Sequence, residues 1–241
     1  MDAMSAKKKI VSAAPRKRTS APRRKRRVGP AEPLQREQIV RTALALVDRG
    51  GLKALSMRRL GAELGVDPMA VYYHLPNKQA LLDAIVEAVM ASIDLSVDNP
   101  KEPPEQRILT AAQAYRDAML AHANALPIVL GRGPATPAAM RPVDRLIGIL
   151  RDAGLPPAQA FVGMQLIAAA VRGAVGMGPA PEGAKPPGPE QIEAMLRLLT
   201  PGEFPNLLEA MPYAGEFFER GFEYGIRALA RGLIAEARRT E

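Results

Sequence analysis

Residues 56 to 75 constrain the fold more tightly than any other stretch, because two helical segments of about two turns each are separated by three residues that all belong at helix ends. Ser56 is placed to cap a first short helix that runs to Leu64. Gly65 suits the left-handed conformation that stops a helix, and Val66 is placed to pack into a small core. Asp67 offers its carboxylate to the orphan N–H groups of a second helix, and Pro68 takes the first helical position, where its missing N–H has no partner to lose. Local chemistry therefore sets a sharp angle between two short helices, with the dimensions of a helix-turn-helix. At about 100° per residue, Val71 and Leu75 share one face of the second helix, and Met69 and Tyr73 share the opposite one, flanked by Ala70 and Tyr72. An outward Met-Ala-Tyr-Tyr surface on so short a helix asks for a partner, and a DNA groove supplies one.

The flanks are helical too. Ile39, Val40, Ala43, Leu44 and Val47 recur at helical spacing and stop at Gly50-Gly51, while Asn77 caps a longer helix carrying Leu81, Leu82, Ile85, Val89 and Ile93. Ser96 to Pro104 reads as a hinge-like break. Beyond it the periodicity predicts helices at about 105–124, 137–153, 157–177, 189–200 and 213–239, with a Pro/Gly-rich loop from Gly178 to Pro189 and no strand run. The expected fold class is all-α in two parts, a helix-turn-helix domain over residues 34–94 and a second helical domain over residues 95–241, preceded by a disordered basic tail over residues 1–33.

Composition excludes most catalytic readings. The absence of cysteine removes disulfides, thiolate metal sites and a Cys nucleophile, and the two histidines, His74 and His122, lie too far apart for a local metal-binding pair. No GxSxG, GxxxxGK[ST] or GxGxxG motif is present, so no enzyme and no cofactor is expected. The longest nearly apolar run, Ala160 to Val171, is shorter than a bilayer span, and Ile10 to Ala14 is too short for a secretory core; a cytoplasmic protein is expected, with a transit peptide or nuclear address as other readings of the tail.

The stretch SMRRLGAELGVDPMAVYYHLPNKQALLDAI resembles the DNA-binding domain of the TetR family of bacterial repressors, through its LGV turn, YYH triplet and NK-x-x-LLDA helix start. LAHANALPIVLGRGP, AGLPPAQAF and FERGFEYGIRAL resemble the ligand-binding domain of the tetracycline repressor subgroup. The resemblance implies DNA contacts from Ser56, Met57 and Arg58 at the start of the first motif helix, from Pro68, Met69 and Ala70 at the head of the recognition helix, and from Tyr72, Tyr73, His74 and Lys78. Taken singly, His74 reads as a cap, the tyrosines as half-buried core and Arg58 as a solvated charge; turn, caps and aromatic pair coinciding in register is what the bland account leaves unexplained. The recognition helix has no Arg, Asn or Gln for bidentate purine contacts, so readout should lean on thymine methyls through Met69 and Ala70, with Arg58 as the guanine reader.

The same resemblance implies that residues 34–94 are a three-helix DNA-binding domain and residues 95–241 an effector-binding and dimerisation domain, with an effector pocket and a homodimer. Tyr115, Met119, Arg132, Met164, Ile167, Ala168, Val171 and Met177 are expected in a largely apolar pocket, although such residues also fill ordinary cores. Gly163, Ala170 and Ala174 on one helix and Gly221-x-x-x-Gly225 on another are expected at the dimer interface. The tetracycline repressors hold their drug as a magnesium chelate, but Val129 stands where their His ligand belongs and RGAVGMGP lacks their Glu, so no metal is expected and the effector should be hydrophobic, neutral or anionic. The sequence does not distinguish a repressor from an activator.

The net charge of +8 is not spread evenly: residues 1–33 hold eleven Lys and Arg against Asp2 and Glu32, a net +9, and residues 34–94 hold seven basic and seven acidic residues. Specificity therefore does not come from net charge, and the tail is either an electrostatic arm beside the operator or a solvated segment without a role. A protein whose DNA affinity came from that tail alone would bind non-specifically. If the tail is an arm, deleting residues 1–30 flattens the dependence of log K on log salt by about 0.9 for each phosphate that the tail neutralises, while sequence preference survives. An unchanged slope in a salt titration would leave the tail without that role.

Overall fold

The computed structural model describes residues 33–176, 189–199 and 202–239. Among them are eleven α-helices and no strand: α1 Arg36–Gly50, α2 Met57–Leu64, α3 Pro68–His74, α4 Lys78–Ala91, α5 Pro104–Ala121, α6 Leu126–Leu130, α7 Pro137–Asp152, α8 Pro157–Gly176, α9 Pro189–Arg197, α10 Pro205–Ala210 and α11 Ala214–Ala237. The basic tail and most of the expected 178–189 loop lie outside the described residues. Five-residue α6 and six-residue α10 are too short to show a period, which is why neither is legible as a separate helix in the sequence.

The first three helices enclose Ile39, Leu46, Leu60 and Val71, and α4 closes that core with Leu81 and Ile85. α4 then continues into a second layer, where it packs against α7, α6 and α5. α5, α7, α8 and α11 form the bundle beyond it, with α8 packed on α5, α7 and α11. The apolar run expected to be too short for a bilayer belongs to a 20-residue helix of mean hydropathy 1.3, long and apolar enough to span one. Its buried residues, among them Ile167 and Val171, instead face three neighbouring helices, as in the core helix of a bundle.

Ser96 to Pro104 is not a free hinge. Asp98 at its centre has a side chain only 3% exposed and receives Arg107 Nε at 2.8 Å and Nη2 at 3.1 Å, while Arg145 pairs with the same carboxylate. Arg107 Nη1 also donates to Asp152 at 3.0 Å. One carboxylate thereby ties the connecting segment to α5 and α7. Hydrogen bonds from Arg107 hold the Asp98 carboxyl below its ordinary pKa range against the opposing effect of burial, with the charges of Arg107 and Arg145 adding to them.

Replacing Asp98 by Asn leaves a buried guanidinium facing an amide and should lower the unfolding free energy by about 3 kcal/mol at pH 7, measured by urea unfolding. Because the folded-state pKa is depressed, the stabilisation is complete above the ordinary carboxylate range near pH 4 and is lost as pH falls through the lowered value. D98N should accordingly flatten the acid limb of the stability profile.

Candidate functional site

Each cap anticipated around the two-helix turn is formed. Ser56 accepts from the Arg59 amide at 3.2 Å, Asp67 from the Met69 amide at 2.8 Å and Asn77 from the Ala80 amide at 2.8 Å. Gly65 adopts φ 69°, and the amides of Gly65 and Val66 close onto the carbonyls of Ala62 and Gly61, which satisfies the end of α2. Gly61 is a residue that sequence reasoning missed: a Cβ there would stand 3.0 Å from the Val66 carbonyl and 3.2 Å from Pro68, so only glycine lets the two helices meet so closely. A glycine inside an otherwise good helix, four residues before the stop, was the available signal.

The turn presents α3 as expected. Val71 and Leu75 are buried, while Met69 is 70% and Tyr73 88% exposed. Tyr72 is exposed beside them, and Ala70, Pro68 and His74 are half-exposed; the His74 ring meets Tyr73 edge-on at 5.4 Å between centroids. Ser56, Arg58 and Lys78 stand exposed around this face, and Arg58 and Lys78 have no ion pair among the described residues. Met57 differs. It is 8% exposed and belongs to the core beneath α2, because it lies on the same side of that helix as Leu60 and Gly61; its side chain is not available to a DNA groove.

A cavity of about 680 Å³ lies in the second layer. Its walls come from α4 through Val86 and Met90, from α5 through Ala114 and Tyr115, from α7, and from α8 through Met164 and Ala168, with Arg132 at the segment after α6. Of the residues expected in an effector pocket, Tyr115, Arg132, Met164 and Ala168 line this one cavity. Met119, Ile167 and Val171 do not line it: all three are buried in the bundle core, on the sides of α5 and α8 turned to other helices. Met177 lies outside the described residues. Val129 lines the cavity with an aliphatic side chain, and among the described residues no group of three or more His, Asp or Glu is placed to hold a metal ion.

Among the described residues, three polar contacts join the helix-turn-helix layer to the cavity layer. Arg132 donates to Asp83 on α4. His122 Nδ1 stands 3.0 Å from Asp48 Oδ2 at the end of α1, and the Asn124 amide donates to the Asp48 carbonyl at 2.8 Å.

The signature described as bacterial regulatory proteins, tetR family, matches residues 39–85, and that described as tetracyclin repressor-like, C-terminal domain, matches residues 99–237. The chain belongs to the TetR family. The class C tetracycline repressor of Escherichia coli is 38% identical over 144 residues, which are 59% of this chain and 65% of that repressor, so the match spans a little under two thirds of the relative's length. Apo ActR from Streptomyces coelicolor superposes with a TM-score of 0.75 at 29% identity, covering 88% of this chain and 100% of ActR. ActR in complex with actinorhodin gives 0.72 at 30% identity, over 85% and 99% of the two chains.

Against this TetR frame, the residues expected at a dimer interface separate into two groups. Ala170 and Gly225 are exposed, and Ala174 and Gly221 half-exposed, on the outer faces of α8 and α11. Gly163 is buried within the chain, where a Cβ would meet Leu233 at 3.2 Å and Leu150 at 3.4 Å, so its small size serves the packing of α8 on α11 and α7. Val162 and Leu166 extend the exposed stripe of α8, and Tyr224 that of α11; a search for small residues alone passes over them.

The two methionines at the ends of the motif separate core from surface. Met57→Ala should cost about 2 to 4 kcal/mol of unfolding free energy, whereas Met69→Ala should change it by less than about 0.5 kcal/mol, both read from denaturant midpoints.

Proposed function

We propose that the protein is a transcriptional repressor that grips a palindromic operator as a homodimer and lets go when a small hydrophobic molecule fills its cavity. The observation that carries this reading is the position of α4. Leu81 and Ile85 of that helix, which packs on α1, are buried in the same core as Val71 of the recognition helix, and Val86 and Met90 of the same helix wall the cavity. A ligand that needs more room than the empty cavity offers must push on a helix that also sets the attitude of α3. By linkage, such a ligand weakens operator binding by the factor by which the operator weakens ligand binding.

The family membership supports a DNA target for the Met69, Tyr72 and Tyr73 face, and the likeness to ActR holding actinorhodin supports a cavity made for an organic effector. The exposed stripes of α8, with Val162, Leu166 and Ala170, and of α11, with Gly221, Tyr224 and Gly225, are the surfaces assigned to the partner subunit. Two recognition helices held about 34 Å apart meet successive turns of one face of DNA, and a tilt of α4 alters that spacing. With DNA as its target, the protein works in the cytoplasm.

Arg58 is the guanidinium assigned to base reading, and Met69 and Ala70 are assigned to thymine methyls. Selecting bound fragments from the source genome should enrich an inverted repeat preferred over bulk DNA by about 10³ or more; no enriched repeat would show a non-specific binder instead. On that repeat, Arg58→Ala should lower affinity by about 1 to 3 kcal/mol and relax one position in each half-site, measured across operator variants. Tetracycline should raise the melting temperature no more with magnesium than without it, because Val129 offers no ligand to the ion.

A further inference from the structure

The charged groups around the cavity are not equivalent. Of the three arginines lining it, Arg132 is paired with Asp83 and Arg145 with Asp98, which Arg107 also engages. Arg172 on α8 lines the cavity half-buried, with no carboxylate and no hydrogen-bond acceptor of its own among the described residues. The carboxylates differ in the opposite sense. Asp98 is saturated by two guanidiniums, Asp94 already accepts from the amide and hydroxyl of Ser96 at 2.9 and 2.6 Å, and Asp144 is exposed. An unpaired cation facing an apolar space is the costly member of this set, and a ligand anion is what would satisfy it.

The α8 wall also carries a shape. Phe161, Met164, Gln165, Ala168 and Arg172 line the cavity and recur at helical spacing, so they form one stripe that is aromatic and apolar at its start and cationic at its end. From Phe161 to Arg172 the helix rises about 16 Å. Because α7 and α8 are consecutive packed helices joined through residues 153–156, they run antiparallel, and Arg172 stands at the end where α7 begins, away from the Asp98 cluster that binds α7 nearer its close. Tyr115 faces the same space with a phenol that has no hydrogen-bond partner among the described residues.

We propose that the effector is an elongated, largely aromatic organic anion, its ring system lying along Phe161, Met164 and Met140 and its carboxylate or phenolate oxygen accepting hydrogen bonds from Arg172, with Tyr115 as a second polar contact. This deepens the reading of the cavity as the effector site and rests on it. The guanidinium makes the site a reader of charge as well as of apolar shape, so that a neutral isostere of the same ligand forfeits the charge-assisted bonds and is held less well.

The test uses the full-length protein and a matched pair of probes, 4′-fluorobiphenyl-4-carboxylate and its neutral carboxamide, titrated by ¹⁹F NMR at pH 7. The carboxylate should bind the unaltered protein about tenfold more tightly than the amide. Arg172→Gln should remove about tenfold from carboxylate affinity and leave amide affinity within about twofold, Arg172→Lys should restore part of the loss, and Asp144→Asn should not weaken the carboxylate. The amide serves as the check that the cavity of each variant is intact. Equal binding of the two probes, or equal losses for both in Arg172→Gln, would overturn the anion assignment while leaving an effector cavity. No saturable binding of either probe, or binding undisturbed by Ala168→Trp, which puts an indole into the cavity, would overturn the cavity reading and the assignment with it.

Discussion

α4 is buried on two sides, and the rest of the structure depends on that. Leu81, Leu82 and Ile85 at its start are buried in the core they share with residues of the first three helices, while Val86, Val89 and Met90 one turn later are buried toward the second layer, where α4 packs on α7 and walls the cavity. A helix of fourteen residues is about 21 Å long, so its two ends serve different layers without any flexible joint between them. Mechanical continuity follows from packing: neither layer can bury its apolar surface if α4 shifts alone. Arg132 with Asp83 and His122 with Asp48 fasten the layers at two further points, one beside the cavity and one at the end of α1.

The DNA-facing half of the molecule shows how little of its geometry depends on distant contacts. Ser56, Asp67 and Asn77 each supply one side-chain acceptor, Gly65 one left-handed residue, and Gly61 the missing Cβ that lets α2 and α3 approach. Together they leave Met69, Tyr72 and Tyr73 outside with Val71 and Leu75 inside, and the aromatic surface has no intramolecular partner among the described residues beyond the Tyr73 and His74 edge contact. This face carries no net positive excess in its own domain. On the proposed function, specific recognition rests on shape, thymine methyl contact and Arg58, with the strongly basic first 33 residues as a separate source of charge.

Much of this was legible in the sequence because helix caps and the left-handed glycine are local signals, read within four residues. What was not legible needed three dimensions. Periodicity says that Met119, Ile167 and Val171 lie on apolar faces, but it cannot divide a face between a packed core and an open cavity, and α8, enclosed by α5, α7 and α11, has apolar residues in both. Met57, given a DNA contact by the resemblance alone, lies instead on the buried side of α2 with Leu60 and Gly61. Gly163 looked like an intersubunit contact because small residues suit any close helix approach, and here the approaching side chain is Leu233 of the same chain. Asp98 was hidden for another reason: its two arginines are 9 and 47 positions away, beyond any local pattern.

The central claim is that occupation of the cavity moves α4 and so loosens the grip on DNA. Ala168→Trp puts an indole into the cavity from α8 and needs no knowledge of the natural effector. On an operator recovered by selection, this variant should bind at least about tenfold more weakly than the unaltered protein while still unfolding in one cooperative transition. Unchanged operator affinity in a variant that folds cooperatively would contradict the account, because added bulk inside the cavity would then have no consequence for α4.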